Sequence, residues 1–302
     1  MPSEVAPIAL FAFNRPSHLQ QTLIALAECS QAQDSDLTIF CDGPRSEQDM
    51  SSVEQVRGIA RTWADSGALG HVTIIEHPTN LGLATSVISG VTTILSESDT
   101  VIVLEDDIVV SPDFLRYMND ALVTYHDEPA VISIHGFTMN VGTPLPQTFF
   151  LRGADCWGWA TWRRGWEIFE PNAQLLLEQL DRSGGVTDFD FGDVYPYRDM
   201  LERQVKGNVD SWAVRWYASA YLANKLTLYP GKSLVRNIGQ EGSGTHSMER
   251  VSHSVLAERF EFPLQKIIPL ESAEAREAFQ EALAKDQEPR WRAVLRHLKP
   301  SW

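Results

Sequence analysis

The chain has 302 residues, a formal net charge of −15 and an apolar fraction of 43% that includes nine tryptophans. This length and composition predict a folded protein of one or two domains and exclude a largely disordered or linker protein. The acidic balance argues against a nucleic-acid binder, which needs a basic surface, but it is compatible with a nucleotide ligand held by a metal ion or a local arginine.

The cysteines and the apolar runs indicate the compartment. Cys29, Cys41 and Cys156 lie far apart and form no CxxC pair, so the sequence predicts neither a disulfide framework nor a zinc site. No stretch approaches the roughly 20 consecutive apolar residues of a membrane span. The first residues lack the basic region that begins a signal peptide. We therefore expect a cytoplasmic protein.

The first half of the chain alternates apolar, β-branched runs with helix-like stretches. The strand-like runs cover residues 8–13, 37–42, 71–77, 100–106 and 130–136. Near-continuous apolar strands that alternate with helices are typical of a parallel sheet buried on both faces. The sequence therefore predicts an α/β fold with a mostly parallel, Rossmann-like sheet flanked by helices.

Polar side chains follow three of these strands, at the point where each strand ends. They are Asn14–Arg15, Asp42–Gly43 and the acidic triplet Glu105–Asp107. Ligands of such sheets bind beyond the carboxyl ends of the strands. The sequence therefore predicts that all three groups meet on one rim of the sheet.

The acidic triplet needs something to offset the repulsion between its carboxylates, either water or a cation. Along a strand, side chains alternate, so we expect Glu105 and Asp107 to face one way and Asp106 the other. Carboxylate oxygens suit Mg²⁺ or Mn²⁺, which bind through one or two carboxylates plus substrate phosphates. We favour such a metal site over a strand end that is merely solvated.

After about residue 150 the pattern changes. A segment dense in tryptophan and glycine (154–171) precedes a loop-rich stretch (184–200), an amphipathic helix (209–225) and a glycine-rich stretch (237–247). We predict three regions. Residues 1–150 form a nucleotide-sugar-binding half, residues 151–260 an acceptor-binding and catalytic half, and residues 261–302 a helical tail.

Five segments carry a family resemblance: FAFNRPSHLQQTL, FCDGP, NLGLATSVISGV, VLEDDIVVSPDFLRYM and CWGWATWRRGWE. Their order and spacing resemble the nucleotide-sugar glycosyltransferases of the GT-A fold. They are similar to family 2-type bacterial transferases and to the inverting N-acetylglucosaminyltransferase I of animals. The resemblance covers about residues 7 to 250, loosely after 170, and its most specific element is the acidic triplet with the S-P-D-F that follows. It implies a GT-A-like fold and dependence on Mn²⁺ or Mg²⁺.

The resemblance also implies a role for each rim residue. Arg15 would meet the diphosphate or base, and Asp42 the uracil of a UDP-sugar. The triplet, a variant of the D-x-D motif, would supply a metal ligand from Asp107, while Glu105 and Asp106 contact the ribose and the donor sugar. The residues alone leave other interpretations open, because Arg15 could simply end a strand and Asp42 precedes a glycine in a common turn pattern.

Inverting transfer needs a carboxylate that removes the proton of the acceptor hydroxyl. Asp210 is our first candidate, because the resembling families carry their catalytic aspartate in a similar D-x-W context. It could instead be the N-cap of the following helix. Asp155 is the second candidate, and the other acids of this half are Asp188, Asp190, Asp193 and Asp199.

Three further residues are candidate ligand contacts. In the glycine-rich stretch, Ser243 would contact the donor and His246 would bind the metal or a phosphate, although a lone histidine is as often a surface residue. Trp157 is a candidate platform for a sugar ring, because an aromatic face can stack on it. Trp159, Trp162 and Trp166 recur at helical spacing and are expected to form the buried face of a helix.

The final segment, residues 289–302, carries Arg290, Arg292, Arg296 and Lys299 without any acid. Its apolar residues recur at helical spacing. This pattern predicts either an interfacial helix that makes peripheral contact with the inner face of an anionic membrane or a terminal helix docked on the acidic body.

These features together predict a metal-dependent, inverting hexosyl- or N-acetylhexosaminyltransferase. It would move a sugar from a UDP-sugar to a carbohydrate or lipid-linked glycan acceptor in surface polysaccharide synthesis. Two alternatives stay open. A sugar-nucleotidyltransferase would normally show a glycine-rich N-terminal loop, which FAFNRPSHL lacks. A non-catalytic carbohydrate-binding or scaffold protein could retain the fold without the activity.

Overall fold

The computed structural model describes residues 5–239 and 255–287. The strands are β1 (Ile8–Ala12), β2 (Leu37–Cys41), β3 (Val72–Glu76), β4 (Thr100–Glu105), β5 (Ile108–Val110), β6 (Val131–His135), β7 (Thr148–Arg152), β8 (Trp159–Trp162), β9 (Leu226–Pro230) and β10 (Val235–Asn237). The α-helices are α1 (Pro16–Ala27), α2 (Met50–Ser66), α3 (Leu83–Glu97), α4 (Phe114–Thr124), α5 (Arg163–Trp166), α6 (Ala173–Ser183), α7 (Val186–Phe189), α8 (Tyr197–Val205), α9 (Trp212–Leu222) and α10 (Ala273–Gln287).

Eight of these strands form one sheet in the order β3-β2-β1-β4-β8-β6-β9-β7. The pairs β1–β2, β2–β3, β1–β4 and β6–β9 are parallel, while β8 runs antiparallel to both of its neighbours and β7 antiparallel to β9. Six strands therefore share one direction and two oppose it. The predicted α/β fold with a mostly parallel sheet is confirmed, and β1, β2, β3, β4 and β6 correspond to the five predicted strands.

The sheet is buried on both faces, as its apolar strands predict. Alternate residues of β4 show this, because Ile102 and Leu104 belong to the core under α1, α2 and α4, whereas Val101 and Val103 belong to the core under α3 and part of α9. The helices on the two faces hold the sheet between them, so the carboxyl ends of the neighbouring strands β1 and β4 lie together at one rim. A two-stranded ribbon of β5 and β10 lies beside that rim.

The prediction of a helix through the tryptophan-rich segment is wrong at its start. Trp159–Trp162 is strand β8, inserted between β4 and β6, with all four residues buried. A strand buried on both faces is apolar at every position, so its periodicity cannot be distinguished from that of a buried helix. The spacing of Trp159 and Trp162 therefore fits both. The side chains are nonetheless core residues, and Trp159 packs against Trp166 and Trp216.

Strands from both predicted halves share the one sheet. The predicted boundary at residue 150 falls inside β7, and β8 and β9 of the second half lie among the strands of the first. Residues 255–272 run back across the first half, where Phe260 packs on Tyr117, before α10. Residues 289–302, with the predicted interfacial helix, lie outside the described residues. Within the described ranges, no helix combines the length and apolar character needed to cross a membrane.

Candidate active site

The acidic triplet lies where β4 ends. Glu105 is the last residue of β4, and Asp106 and Asp107 form the turn that leads into β5. The expected alternation of side chains therefore does not hold beyond Glu105, because the extended backbone ends there. Asp106 and Asp107 instead reach the same partner, which brings both carboxylates to one side of the rim.

That partner is Arg15, which lies between β1 and α1. Its Nη1 donates to Asp107 Oδ2 at 2.8 Å, and its Nη2 donates to Asp106 Oδ1. The side chains of Asp106 and Asp107 are 3% and 10% exposed, and that of Arg15 is 30% exposed. The guanidinium is thus the positive charge that offsets two of the three acids in this structure.

Burial raises the pKa of two acids of the triplet, Glu105 and Asp106. It raises the pKa of Glu105, and the negative charges of Asp107 and Asp106 raise it further, against a smaller opposing effect of Arg15. Burial and the charge of Asp107 also raise the pKa of Asp106 to about 6, against the opposing effect of Arg15. An additional cation would relieve the part of these shifts that comes from repulsion among the acids.

The second oxygen of Asp107 has no partner. Asp107 Oδ1 is buried and accepts no hydrogen bond, which is rare for a carboxylate oxygen. This donor set fits a divalent ion held by one carboxylate together with substrate phosphates and water. Within residues 5–239 and 255–287, no group of three or more His, Cys, Asp or Glu side chains is arranged to hold a metal ion by itself.

The segment after β10 closes over this carboxylate. The Ile238 N–H donates to the Asp107 carbonyl oxygen at 2.9 Å. A Cβ atom on Gly239 would overlap the Asp107 carboxylate and lie 2.7 Å from Arg15 Nη1, so a side chain there would displace one or both of these groups. Ser243 and His246 lie outside the described residues, and their contacts with donor and metal stay predictions.

Asp42, which follows β2, has a different environment from the one expected. Its Oδ1 accepts from the N–H groups of Gly43 and Leu81, both at 2.8 Å. Its Oδ2 accepts from Asn80 Nδ2 at 2.8 Å and from the Gly82 N–H at 3.1 Å. Both oxygens therefore hold the turn that leads into α3. Contact with a uracil stays a prediction, and it would have to compete with these four donors.

The loop between β7 and β8 adjoins the acids. Asp155 Oδ1 accepts from the Cys156 N–H at 2.9 Å, and Gly158 has a φ of +62° with Phe114 and Val235 packed too closely for a side chain. Burial, and after it the charges of Asp155, Glu105 and Asp107, raises the pKa of the Cys156 thiol. This loop therefore lies near the acidic triplet, although it belongs to the second half of the chain.

The same loop lines a cavity with a volume of about 120 Å³. Aromatic and aliphatic side chains line most of it, including Phe137, Trp157, Tyr195, Tyr197, Tyr217 and Tyr229. The Trp157 ring packs edge-on against Phe137, with centroids 4.8 Å apart. Asp155 is the acid among the lining residues, and its side chain is 34% exposed.

Asp210 lies just outside this cavity. Its side chain is 62% exposed and accepts from Arg215 Nη2 at 3.0 Å. It is not the helix N-cap, because Ser211 caps α9 by accepting from the Val214 N–H at 3.3 Å. Among the competing acids, Asp188 is engaged by Tyr221 and Arg276. The structure thus gives Asp155 the closer position to the cavity and Asp210 a position at its edge.

His135 is a site residue that the sequence reasoning missed. It ends β6, is fully buried, and its Nε2 accepts from the Trp157 N–H at 3.1 Å. The proton of the neutral ring therefore sits on Nδ1, which is 3.9 Å from Asp155 Oδ2. Burial lowers the pKa of His135, which keeps the ring neutral. The sequence does contain a signal for His135, because it lies at the carboxyl end of a predicted strand, where ligands of such sheets bind. The same rule selected Asp42.

No protein-family model and no curated protein matches the chain. Among solved structures, a UDP-glucose pyrophosphorylase complexed with UDP-glucose aligns with 74% of this chain and 90% of its own, at 10% identity and a TM-score of 0.37. A mannose-1-phosphate geranyltransferase from Thermus thermophilus aligns with 75% of this chain and 73% of its own, at 13% identity and a TM-score of 0.34. Likenesses this distant leave the function to be inferred from the site itself.

Proposed function

We propose that the chain is an inverting glycosyltransferase that uses a nucleotide-sugar donor and Mn²⁺ or Mg²⁺. The observation that carries the proposal is the buried pair of Asp106 and Asp107, held by Arg15 at a strand-end rim. Polar groups from different strands converge there, next to an aromatic cavity with a carboxylate in its wall. A nucleotide sugar and its acceptor need two such adjoining sites.

Each rim residue has a role in donor binding under this proposal. The unpartnered Oδ1 of Asp107 would hold the divalent ion, which when bound neutralises charge on the leaving diphosphate. Arg15 would exchange one of its carboxylate contacts for a phosphate oxygen, since the guanidinium fork suits both. Glu105 and Asp106 would accept hydrogen bonds from the ribose and the donor sugar.

The transfer step needs a base on the acceptor side. The acceptor O–H gives its proton to a carboxylate as the oxygen bonds to the anomeric carbon, and the bond from that carbon to the diphosphate breaks. Asp155 is supported by its place in the cavity wall and by its neutral neighbour His135. Asp210, the first candidate from the sequence, becomes the second here, because it would first have to leave Arg215.

The donor is proposed to be a UDP-sugar that supplies a hexose or an N-acetylhexosamine. The acceptor is a carbohydrate or a lipid-linked glycan, as surface polysaccharide synthesis would require, and Trp157 would stack on one of its rings. The uridine preference rests on Asp42 alone, whose oxygens already accept four hydrogen bonds.

A sugar-nucleotidyltransferase is the rival reaction. It is the class to which the pyrophosphorylase described above belongs, but that likeness is too distant to decide between them. In nucleotidyl transfer, a phosphate oxygen is the nucleophile and needs no general base. The carboxylate in the cavity wall therefore favours the glycosyltransferase.

One experiment separates the two reactions by their products. The purified chain is incubated with nucleotide sugars and Mn²⁺, either with a panel of glycosides or with pyrophosphate, and the nucleotides are separated by ion-exchange chromatography. The proposal predicts a nucleoside diphosphate in the glycoside arm and no product in the pyrophosphate arm. A nucleoside triphosphate formed with pyrophosphate would instead assign the chain to the nucleotidyltransferases.

A further inference from the structure

The cavity beyond the β7–β8 loop differs from a site built for a bare sugar. Ring faces and aliphatic groups make up most of its lining, and its volume is about 120 Å³. We propose that it is the acceptor site and that it takes a sugar linked to a flat apolar ring, with the reacting hydroxyl at Asp155. The role of this cavity as an acceptor site rests on the proposed function, whereas the chemistry of its ligand is inferred from its lining.

Two groups of aromatic rings form the walls. On the sheet side lie Phe137, Trp157 and Tyr229. On the helical side, Tyr197 packs against Tyr195 and Tyr217, with centroids 4.4 and 4.5 Å apart. Ring faces and edges arranged in this way bind a flat apolar group through offset and edge-on contacts. Such contacts add binding free energy beyond that of the buried apolar area.

The charged side chains of the cavity offer few contacts to a ligand. Arg152 donates from Nε and Nη2 to the Tyr221 carbonyl oxygen and from Nη1 to Asp188. Asp155 accepts from the Cys156 N–H through Oδ1, and its Oδ2 lies 3.9 Å from His135 Nδ1.

A sugar with hydroxyls on every side would find few partners in this lining beyond Asp155, Ser211 and the tyrosine hydroxyls, and any hydroxyl facing a ring would have none. Each buried hydroxyl without a hydrogen bond costs on the order of 1–3 kcal/mol. A sugar that turns one hydroxyl to Asp155 and is attached to an apolar ring avoids most of that cost. The lining therefore selects for an aglycone rather than for a second sugar.

The position of the cavity suits an acceptor. Asp155 adjoins Cys156 in the loop, and, after burial, the charges of Asp155, Glu105 and Asp107 all raise the pKa of the Cys156 thiol. A hydroxyl held at Asp155 would thus lie near the proposed donor site. The apolar ring would extend away from it, between Trp157 and the tyrosines.

The test compares phenyl and methyl glycosides of glucose, galactose, mannose and N-acetylglucosamine. Binding to the full chain is measured by isothermal titration calorimetry without any donor. The best phenyl glycoside should bind at least about tenfold more tightly than its methyl counterpart, because it alone buries a ring. Equal affinities, or no binding of any phenyl glycoside, would overturn the inference.

A blocked cavity provides the matched control. Ala213 of α9 lines the cavity, whereas Ala223 at the end of the same helix is exposed. Ala213→Trp should abolish the preference for phenyl glycosides, and Ala223→Trp should keep it. Met200→Trp, which fills the cavity from α8, serves if Ala213→Trp does not fold. A preference that survives in a folded, blocked variant would contradict the assignment.

Two further arms separate the possible failures. Octyl glucoside, used below its micellar concentration, tests whether the cavity binds a lipid chain. If it binds more tightly than phenyl glucoside, the inference of a flat apolar ring is wrong and the cavity takes a lipid chain. Nucleotide-sugar binding is titrated separately in the same samples. If phenyl glycosides bind but no nucleotide sugar does, the proposed function fails while the cavity assignment stands; the reverse result rejects the cavity assignment alone.

Discussion

Arg15 lies across Asp106 and Asp107, where the proposed function places a metal ion and a diphosphate. Under that proposal, donor binding would exchange at least one of these two contacts for a phosphate oxygen. The pair explains how two adjacent buried carboxylates persist without a ligand. It also means that removing Arg15 has a cost in the free protein, before any substrate is considered.

Arg15→Gln should therefore lower the free energy of unfolding by about 2 kcal/mol, because it leaves two buried carboxylates without their cation. Added Mn²⁺ should restore part of the loss by supplying another cation. Urea denaturation with and without Mn²⁺ measures both effects. Arg182→Gln, which removes an exposed i,i+4 pair with Glu178, is the control. If both variants lose equally little, Arg15 is not the stabilising cation.

His135 should make stability depend on pH. Burial lowers its pKa in the folded state, so the unfolded chain binds a proton on acidification near the ordinary value of about 6.5 and the folded chain does not. Stability should therefore fall as pH falls below about 6.5. The groups packed around the ring are Asp155, Phe137 and Tyr229.

His135→Gln should remove this part of the pH dependence, since glutamine can still accept from the Trp157 N–H but does not titrate. Urea denaturation at several pH values between 5 and 8 compares it with the unaltered chain. The free energy of unfolding of the unaltered chain, minus that of His135→Gln, should decrease as the pH falls from 8 to 5. Parallel curves would show that His135 does not carry the pH dependence.

At the scale of elements, the turn between β3 and α3 depends on Asp42. Four N–H donors point at its carboxylate, and an amide in its place would present two donors of its own to them. Asp42→Asn should cost about 1.5–3 kcal/mol, the range for hydrogen bonds to a charged group. Urea denaturation measures the loss.

The same variant tests whether Asp42 also recognises the base. If it does, Asp42→Asn should change the relative affinity for UDP- and GDP-sugars, measured by calorimetry. If the role of Asp42 is confined to the turn, that ratio should stay constant while stability falls. Unchanged stability would contradict the structural role itself.

The elements also show which parts of the fold can be predicted from sequence. Strands β1, β2 and β4 have apolar residues on both faces and end in polar groups, so periodicity locates both the strands and the rim. Strand β8 was missed because WATW is too short and too apolar for its period to distinguish strand from helix. The turn at Asp106 was missed because a triplet that continues an apolar run gives no signal that the strand has ended.

At the scale of the whole molecule, the 153–158 loop lines the aromatic cavity and lies near the acidic rim. The rim could be predicted because each strand brings its own polar end to a shared edge. The cavity could not, because it forms only when α8, α9 and the loop after β7 pack together over long sequence separations. The same reason hid the contact between Asp155 and His135, which are 20 residues apart in sequence and belong to different elements.

The central claim is that Asp107 is the metal ligand of a nucleotide-sugar site. It is tested most directly by the thermal stability of the chain with a UDP-sugar panel, with and without Mn²⁺, in three forms: unaltered, Asp107→Asn, and Asp127→Asn as an exposed control. At least one UDP-sugar should raise the melting temperature of the unaltered and Asp127→Asn chains in the presence of Mn²⁺, by mass action on the folded state. The same mixture should not stabilise Asp107→Asn. Mn²⁺-dependent stabilisation that persists in Asp107→Asn, or that no UDP-sugar produces in the unaltered chain, would contradict the claim.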